Sequence, residues 1–113
     1  MSRLLPDSVA RQIPPLYATE NVSDPVAHVK FFTPDSSWSW FVTEYSHEQR
    51  LCFGLVLGLE RELGYFNLDE LEEVRGPLGL PIERDLHWHA RPLSQCDPEG
   101  GPVTIPDNEA REP

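Results

Sequence analysis

The sequence predicts an α+β domain: an antiparallel sheet of four or five strands with one or two short helices packed on one face. Three observations lead there. Three successive strand patterns lie between residues 27 and 57, alternating in Ala27–Phe32 and continuously apolar in Leu51–Leu57, and both patterns mark strands. The turns between those runs are too short for a parallel crossover, which needs a dozen residues or more. A capped amphipathic segment begins at Asn67 and ends at Gly76-Pro77, as a short helix does.

Taken in order, Ser2 to Gln12 reads as a short helix with Asp7 as its N-cap and Val9 and Ile13 on one face. Pro14 and Pro15 end it, because neither ring continues the hydrogen-bond ladder. The first strand is Ala27–Phe32, with Ala27, Val29 and Phe31 pointing one way. Thr33 to Ser37 is turn chemistry around Pro34. Strands over Trp38–Tyr45 and Leu51–Leu57 follow, and Gly64-Tyr65-Phe66 ends another extended segment. Asn67 and Glu70 stand in capping-box spacing, with Leu68, Leu71 and Val74 as an apolar stripe. Pro81 to Trp88 adds a last short extended piece. The expected domain is 1–93. Residues 94–113, rich in proline, glycine and acid, are expected to be a disordered tail, because they hold too little apolar surface to offset the entropy of ordering.

The formal net charge is −10, from 19 acidic and 9 basic residues. Residues 94–113 hold five acids and one base, a balance of −4, so the preceding 93 residues carry −6. Such a surface repels phosphate backbones and anionic lipid and favours a basic protein partner. Direct nucleic-acid binding and membrane association are not expected. The first residues lack a secretory h-region and no run approaches the ~20 apolar residues of a span; Cys52 and Cys96 make no zinc spacing. The expected setting is the cytoplasm. Oligomeric state is not legible.

One cluster of ionisable residues carries a chemical reading. Glu83, Arg84 and Asp85 follow the Gly76–Pro81 loop, and Glu44 interrupts an aromatic strand on the face of Trp40 and Val42. Around a pocket shared with Glu44, Glu83 and Asp85 would supply an acid–base pair and Arg84 would hold an anion. The structural alternative is a salt bridge pinning the loop, with Glu44 as the leading partner of Arg84. Glu44 itself is expected at the wet end of its strand. If 83–89 is extended, Glu83, Asp85, His87 and His89 share a face and become weak metal candidates. No metal or other cofactor is expected. Aromatic residues Trp38, Trp40, Tyr45, Tyr65 and Phe66 read as core before they read as a ligand groove. On the helix, Asp69, Glu70, Glu72 and Glu73 form an acidic face suited to a basic partner.

Several stretches together carry a resemblance. They include Leu16-Tyr-Ala-Thr-Glu-Asn21, Val29-Lys-Phe-Phe-Thr-Pro-Asp35, Trp38–Tyr45, Glu62-Leu-Gly-Tyr-Phe66 and Arg75-Gly-Pro-Leu-Gly-Leu-Pro-Ile-Glu-Arg-Asp85. In these the chain resembles the domain-of-unknown-function family 2958, over roughly Pro14 to Pro92. The resemblance implies a small cytoplasmic bacterial protein, often encoded on mobile genetic elements, and it brings no activity and no catalytic residue.

Two functions are therefore expected to compete. One is a non-enzymatic interaction protein of a mobile element, engaging a basic partner through an acidic surface. The other is a small enzyme or ligand-binding domain with a pocket around Glu44, Glu83, Arg84 and Asp85.

Overall fold

The computed structural model describes residues 3–96. In chain order its elements are α1 (Asp7–Ala10), β1 (Val26–Ala27), β2 (Val29–Phe32), β3 (Ser39–Ser46), β4 (Leu51–Leu57), β5 (Arg61–Asn67), α2 (Leu68–Glu73), β6 (Glu83–Arg84), β7 (Arg91–Pro92) and a 3-10 turn, Leu93–Gln95. Five strands form an antiparallel sheet in the order β5-β4-β3-β2-β6, and β1 pairs with β7 in a separate two-stranded ribbon. This is the α+β architecture read from the sequence.

The two sheet faces have different covers. One bears Phe31, Trp40, Val42, Tyr45 and Cys52, buried under both helices and the first chain segment through Leu4, Leu5, Ala10, Leu68 and Leu71. Complete burial of a leucine such as Leu68 is worth about 1.5–3 kcal/mol. The other face bears Phe41 and Leu55, covered by Ala27, Leu93 and the half-buried Trp88.

Strand β3 carries a bulge that decides what lies where. Its register with β4 passes from Val42↔Gly54 directly to Glu44↔Phe53, leaving Thr43 as the extra residue. Directly opposed residues share a face, so Glu44 joins Phe53 on the Phe41 side, and the expected alignment with Trp40 and Val42 is reversed. The Thr43 hydroxyl donates to the Phe53 carbonyl at 3.0 Å and steadies the irregularity. Gly54 is required here, since a Cβ on it would fall 1.7 Å from the Phe41 carbonyl oxygen.

Local details depart from the sequence reading for identifiable reasons. Helix α1 is one turn, with Pro6 rather than Asp7 at the cap position and the Pro6 carbonyl accepting from Val9 and Ala10. The first strand is broken at His28, and Ala27 leaves the sheet to pair with Arg91. Val74 is the C-cap of α2 with extended backbone and is exposed, so it adds nothing to the apolar stripe. The Asn67 cap does form, accepting from the Glu70 N–H at 3.2 Å. Beyond Leu93, Ser94 is tied to Asp24 through its N–H (3.0 Å) and hydroxyl (2.6 Å). The rest of the expected tail, 97–113, lies outside the described residues.

Candidate functional site

Glu44 is fully buried, not at a wet strand end. Past Val42, strand β3 has run out of β2 as a neighbour, and the chain at 14–19 takes that place: the Tyr45 N–H donates to the Pro14 carbonyl at 2.9 Å. The Glu44 carboxylate accepts from the Tyr17 N–H (2.7 Å), the Thr19 N–H (2.8 Å) and the Thr19 hydroxyl. Successive backbone N–H groups around a left-handed residue form a natural anion seat, and Tyr17 has φ +72°. A non-glycine residue in that region is strained by about 1–3 kcal/mol. Here a side chain of the same protein fills the seat, and its three donors offset the burial of charge.

The other members of the expected cluster are elsewhere. Arg84 stands opposite Phe31 on β2, on the helix-covered side, while Glu44 is turned to the opposite side. The expected Arg84–Glu44 pair is not formed, and Arg84 makes no ion pair among the described residues. Glu83 is exposed. Asp85 bends the chain: its carboxylate accepts from the His87 N–H at 2.9 Å and its carbonyl from the Trp88 N–H at 3.3 Å. This local capture competes with the sheet ladder, so the strand stops at Arg84 and the alternation through His89 is lost. His87 and His89 are exposed. Among the described residues no three of His, Cys, Asp and Glu gather as a metal set.

A cavity of about 450 Å³ opens beside the Glu44 seat, lined by Leu16, Tyr17, Gln49, Leu51 and Tyr65. Its walls offer apolar surface, two phenols and an amide, and no acid–base pair. Of the aromatic residues considered for a groove, Tyr65 lines it, stacked edge-on against Phe53. Trp40 and Tyr45 are core, and Trp38 and Phe66 pack against that core. Sequence reasoning missed Leu16, Tyr17, Gln49 and Leu51. The available signal was Leu16-Tyr17 between two prolines and a polar run, but the positive φ that turns it toward Tyr65 has no sequence mark.

The helix acids divide into two pairs. Asp69, itself exposed, and Glu72 pair with Arg50 at 2.6 Å and 3.2 Å. The hydrogen bond that Arg50 donates to Asp69, with the charge of that carboxylate, raises the Arg50 pKa, and Glu72 also accepts from the Leu4 N–H at 3.2 Å. Glu70 and Glu73 are exposed.

The basic residues are held by the fold in the same way. Arg91 stacks 4.0 Å above the Trp88 ring, and the amine of Lys30 lies about 6 Å from the rings of Phe32, Phe41 and Trp88. Arg3 donates to the Ile82 and Glu72 carbonyls, and Arg75 to those of Glu72 and Val74.

The Gly76–Pro81 loop is equally well held. Asp35, from the β2–β3 turn, accepts from the Leu78 N–H at 2.8 Å and the Leu80 N–H at 3.3 Å. The Gly76 N–H donates to the Leu80 carbonyl, and the Gly79 N–H to the Gly76 carbonyl, both at 2.9 Å. Gly79 takes φ +83°, the left-handed conformation that favours glycine.

Among the described residues no helix is long and apolar enough to cross a membrane. A family model described as "Protein of unknown function (DUF2958)" matches residues 4–96. No curated protein and no solved structure matches the chain.

Proposed function

Because the chain belongs to this family of proteins of unknown function, its role has to be argued from its own surface, and we propose that it is a non-enzymatic interaction protein of the cytoplasm that engages a basic protein partner. One observation carries this reading. Among the described residues ten acidic side chains stand exposed against four basic ones, and two of those four, Arg3 and Arg75, spend their guanidinium groups on backbone carbonyls. Folding engages Arg50 with Asp69 and Glu72, and Lys30 and Arg91 with aromatic rings, and leaves most of the exposed charge negative. A predominantly negative surface steers an oppositely charged partner and repels nucleic acid.

The α2 end supplies the densest part of this surface through Glu70 and Glu73. A mobile-element setting, which the family resemblance implies, would offer DNA-processing proteins as basic partners. The enzymatic reading has less support, since Arg84 and Glu44 lie on opposite sides of the sheet.

The test is capture of partners from the native host at low and physiological salt, with the wild type and a Glu70→Lys/Glu73→Lys variant. The expected result is capture that weakens with salt, as the Debye length shrinks to ~8 Å, and is lost on charge reversal. Capture indifferent to both, or direct binding of duplex DNA by the purified protein, would refute the reading.

A further inference from the structure

We infer that the Gly76–Pro81 loop is the apolar anchor of that interaction, inserting Leu78 and Leu80 into an apolar pocket on a protein partner whose rim is basic. The inference rests on the proposed electrostatic engagement and adds to it the residues that would hold the complex.

The backbone of this loop is held by hydrogen bonds. The Asp35 carboxylate holds two of its N–H groups, two internal hydrogen bonds close it, and a bridge between Arg75 and Pro81 seals its base. The fit is close enough that a Cβ on Gly76 would fall 1.7 Å from an Asp35 oxygen. Pro77 and Pro81 remove further freedom.

Yet the side chains so positioned do not serve the core. Leu78 is 79% exposed and Leu80 43%, with Val74 at 40% just before the loop. Single exposed leucines are ordinary. Three exposed apolar side chains within seven residues, two of them on a locked backbone, are a concentration of apolar surface of the kind that marks interaction sites. A loop already fixed in one conformation avoids the ordering cost of binding, and apolar anchors seated in pockets dominate interface energies.

The charge around the patch selects the partner. Glu70 and Glu73 are exposed on the helix that leads into the loop, while Arg75 is turned back onto the carbonyls of Glu72 and Val74. An apolar tip beside acids fits an apolar pocket beside bases. The same negative charge opposes insertion into an anionic lipid surface.

The experiment places a photoactivatable leucine analogue at position 78 of the full chain, with positions 59 and 86 as equally exposed controls (92% and 73%). Crosslinking in native-host lysate is followed by purification of the crosslinked protein. Its affinity is then measured for the wild type, Leu78→Ser/Leu80→Ser and Glu70→Lys/Glu73→Lys at two salt concentrations. The expected result is a crosslink from 78 well above those from 59 and 86. The leucine variant should bind at least tenfold more weakly at both salts with an unchanged melting temperature, and the charge variant should lose binding mainly at low salt. Wild-type affinity in the leucine variant alongside loss in the charge variant would overturn the loop inference and leave the electrostatic reading standing. The converse pattern would keep the loop and remove the electrostatics. Equal crosslinking from all three positions, or Leu78-dependent sedimentation with phosphatidylcholine vesicles, would also overturn it.

Discussion

Thr19 donates both its backbone N–H and its hydroxyl to the carboxylate of Glu44. A buried acid therefore fastens the segment after Pro15 to the central strand of the sheet, together with the N–H of the positive-φ residue Tyr17. Removing the acceptor leaves these part-buried donors without it. Glu44→Ala should cost about 3 kcal/mol in urea denaturation, and Glu44→Gln about half as much, since its amide oxygen still accepts. Amide exchange at Tyr17 and Thr19 should quicken in both. Equal stability of the alanine variant and the wild type would show that the seat contributes nothing.

The paired glycines of β4 and β5 should respond in opposite ways. Gly54 and Gly64 face one another across the two strands, but a Cβ on Gly54 collides with the Phe41 carbonyl whereas one on Gly64 meets nothing within 4 Å. Gly54→Ala should lose about 3 kcal/mol by overpacking the bulge. Gly64→Ala should be neutral or gain up to about 1 kcal/mol by restricting the unfolded chain. Thermal melting of the two variants decides it, and similar midpoints would contradict the bulge geometry.

Asp35 should control the order of the Gly76–Pro81 loop with little influence on the rest. Asp35→Ala removes the acceptor of the Leu78 and Leu80 N–H groups. Hydrogen exchange at those two amides should rise at least tenfold, with a loss of only about 1 kcal/mol in global stability, since the donors become free to meet water. Unchanged exchange would mean that the prolines and Gly79 suffice.

Stability should peak between the ordinary pKa values of His28 and Cys52, 6.5 and 9.0. Burial lowers the His28 pKa, so its contribution is present above 6.5 and is lost as pH falls through the folded value. Burial pushes the Cys52 thiol up to about 12, so that contribution is present below 9.0 and is lost as pH rises toward 12. Melting across this range should fall off at both ends, with the acid limb shallower in His28→Asn. Cys96, half-buried and raised to about 11, should react with a disulfide reagent at pH 8 before Cys52, and both far more slowly than in urea. Rapid labelling of Cys52 in the folded protein would contradict its burial.

The sheet was legible because Ala27–Phe32 alternates, because Leu51–Leu57 is a short apolar run bounded by turn residues, and because the Asn67 cap announces α2. The departures come where one local bond outweighs the pattern. At Thr43 a single added residue reverses the face of Glu44, and the hydrophobic pattern of the strand gives no sign of it. At Asp85 the side chain outcompetes the ladder for the His87 N–H. The functional reading suffered most, because its four residues were joined by assumed alternation on each side of these two points. Net charge was legible throughout; the engagement of its bases was not, since Arg50 meets Asp69 and Glu72 only in the fold.

The two ends of the described chain are built into opposite sides of the sheet. Leu4 and Leu5 lie under the helices, where Arg3 reaches Glu72 and Ile82, whereas Leu93 and Cys96 lie over Phe41 and Leu55. The orientation of any bait or immobilised form is therefore set by which end carries the handle. A carrier fused ahead of Arg3 would stand beside α2 and shield the surface proposed to meet a partner. One fused beyond Cys96 would leave that surface open, and an affinity column prepared from each would report on a different half of the protein.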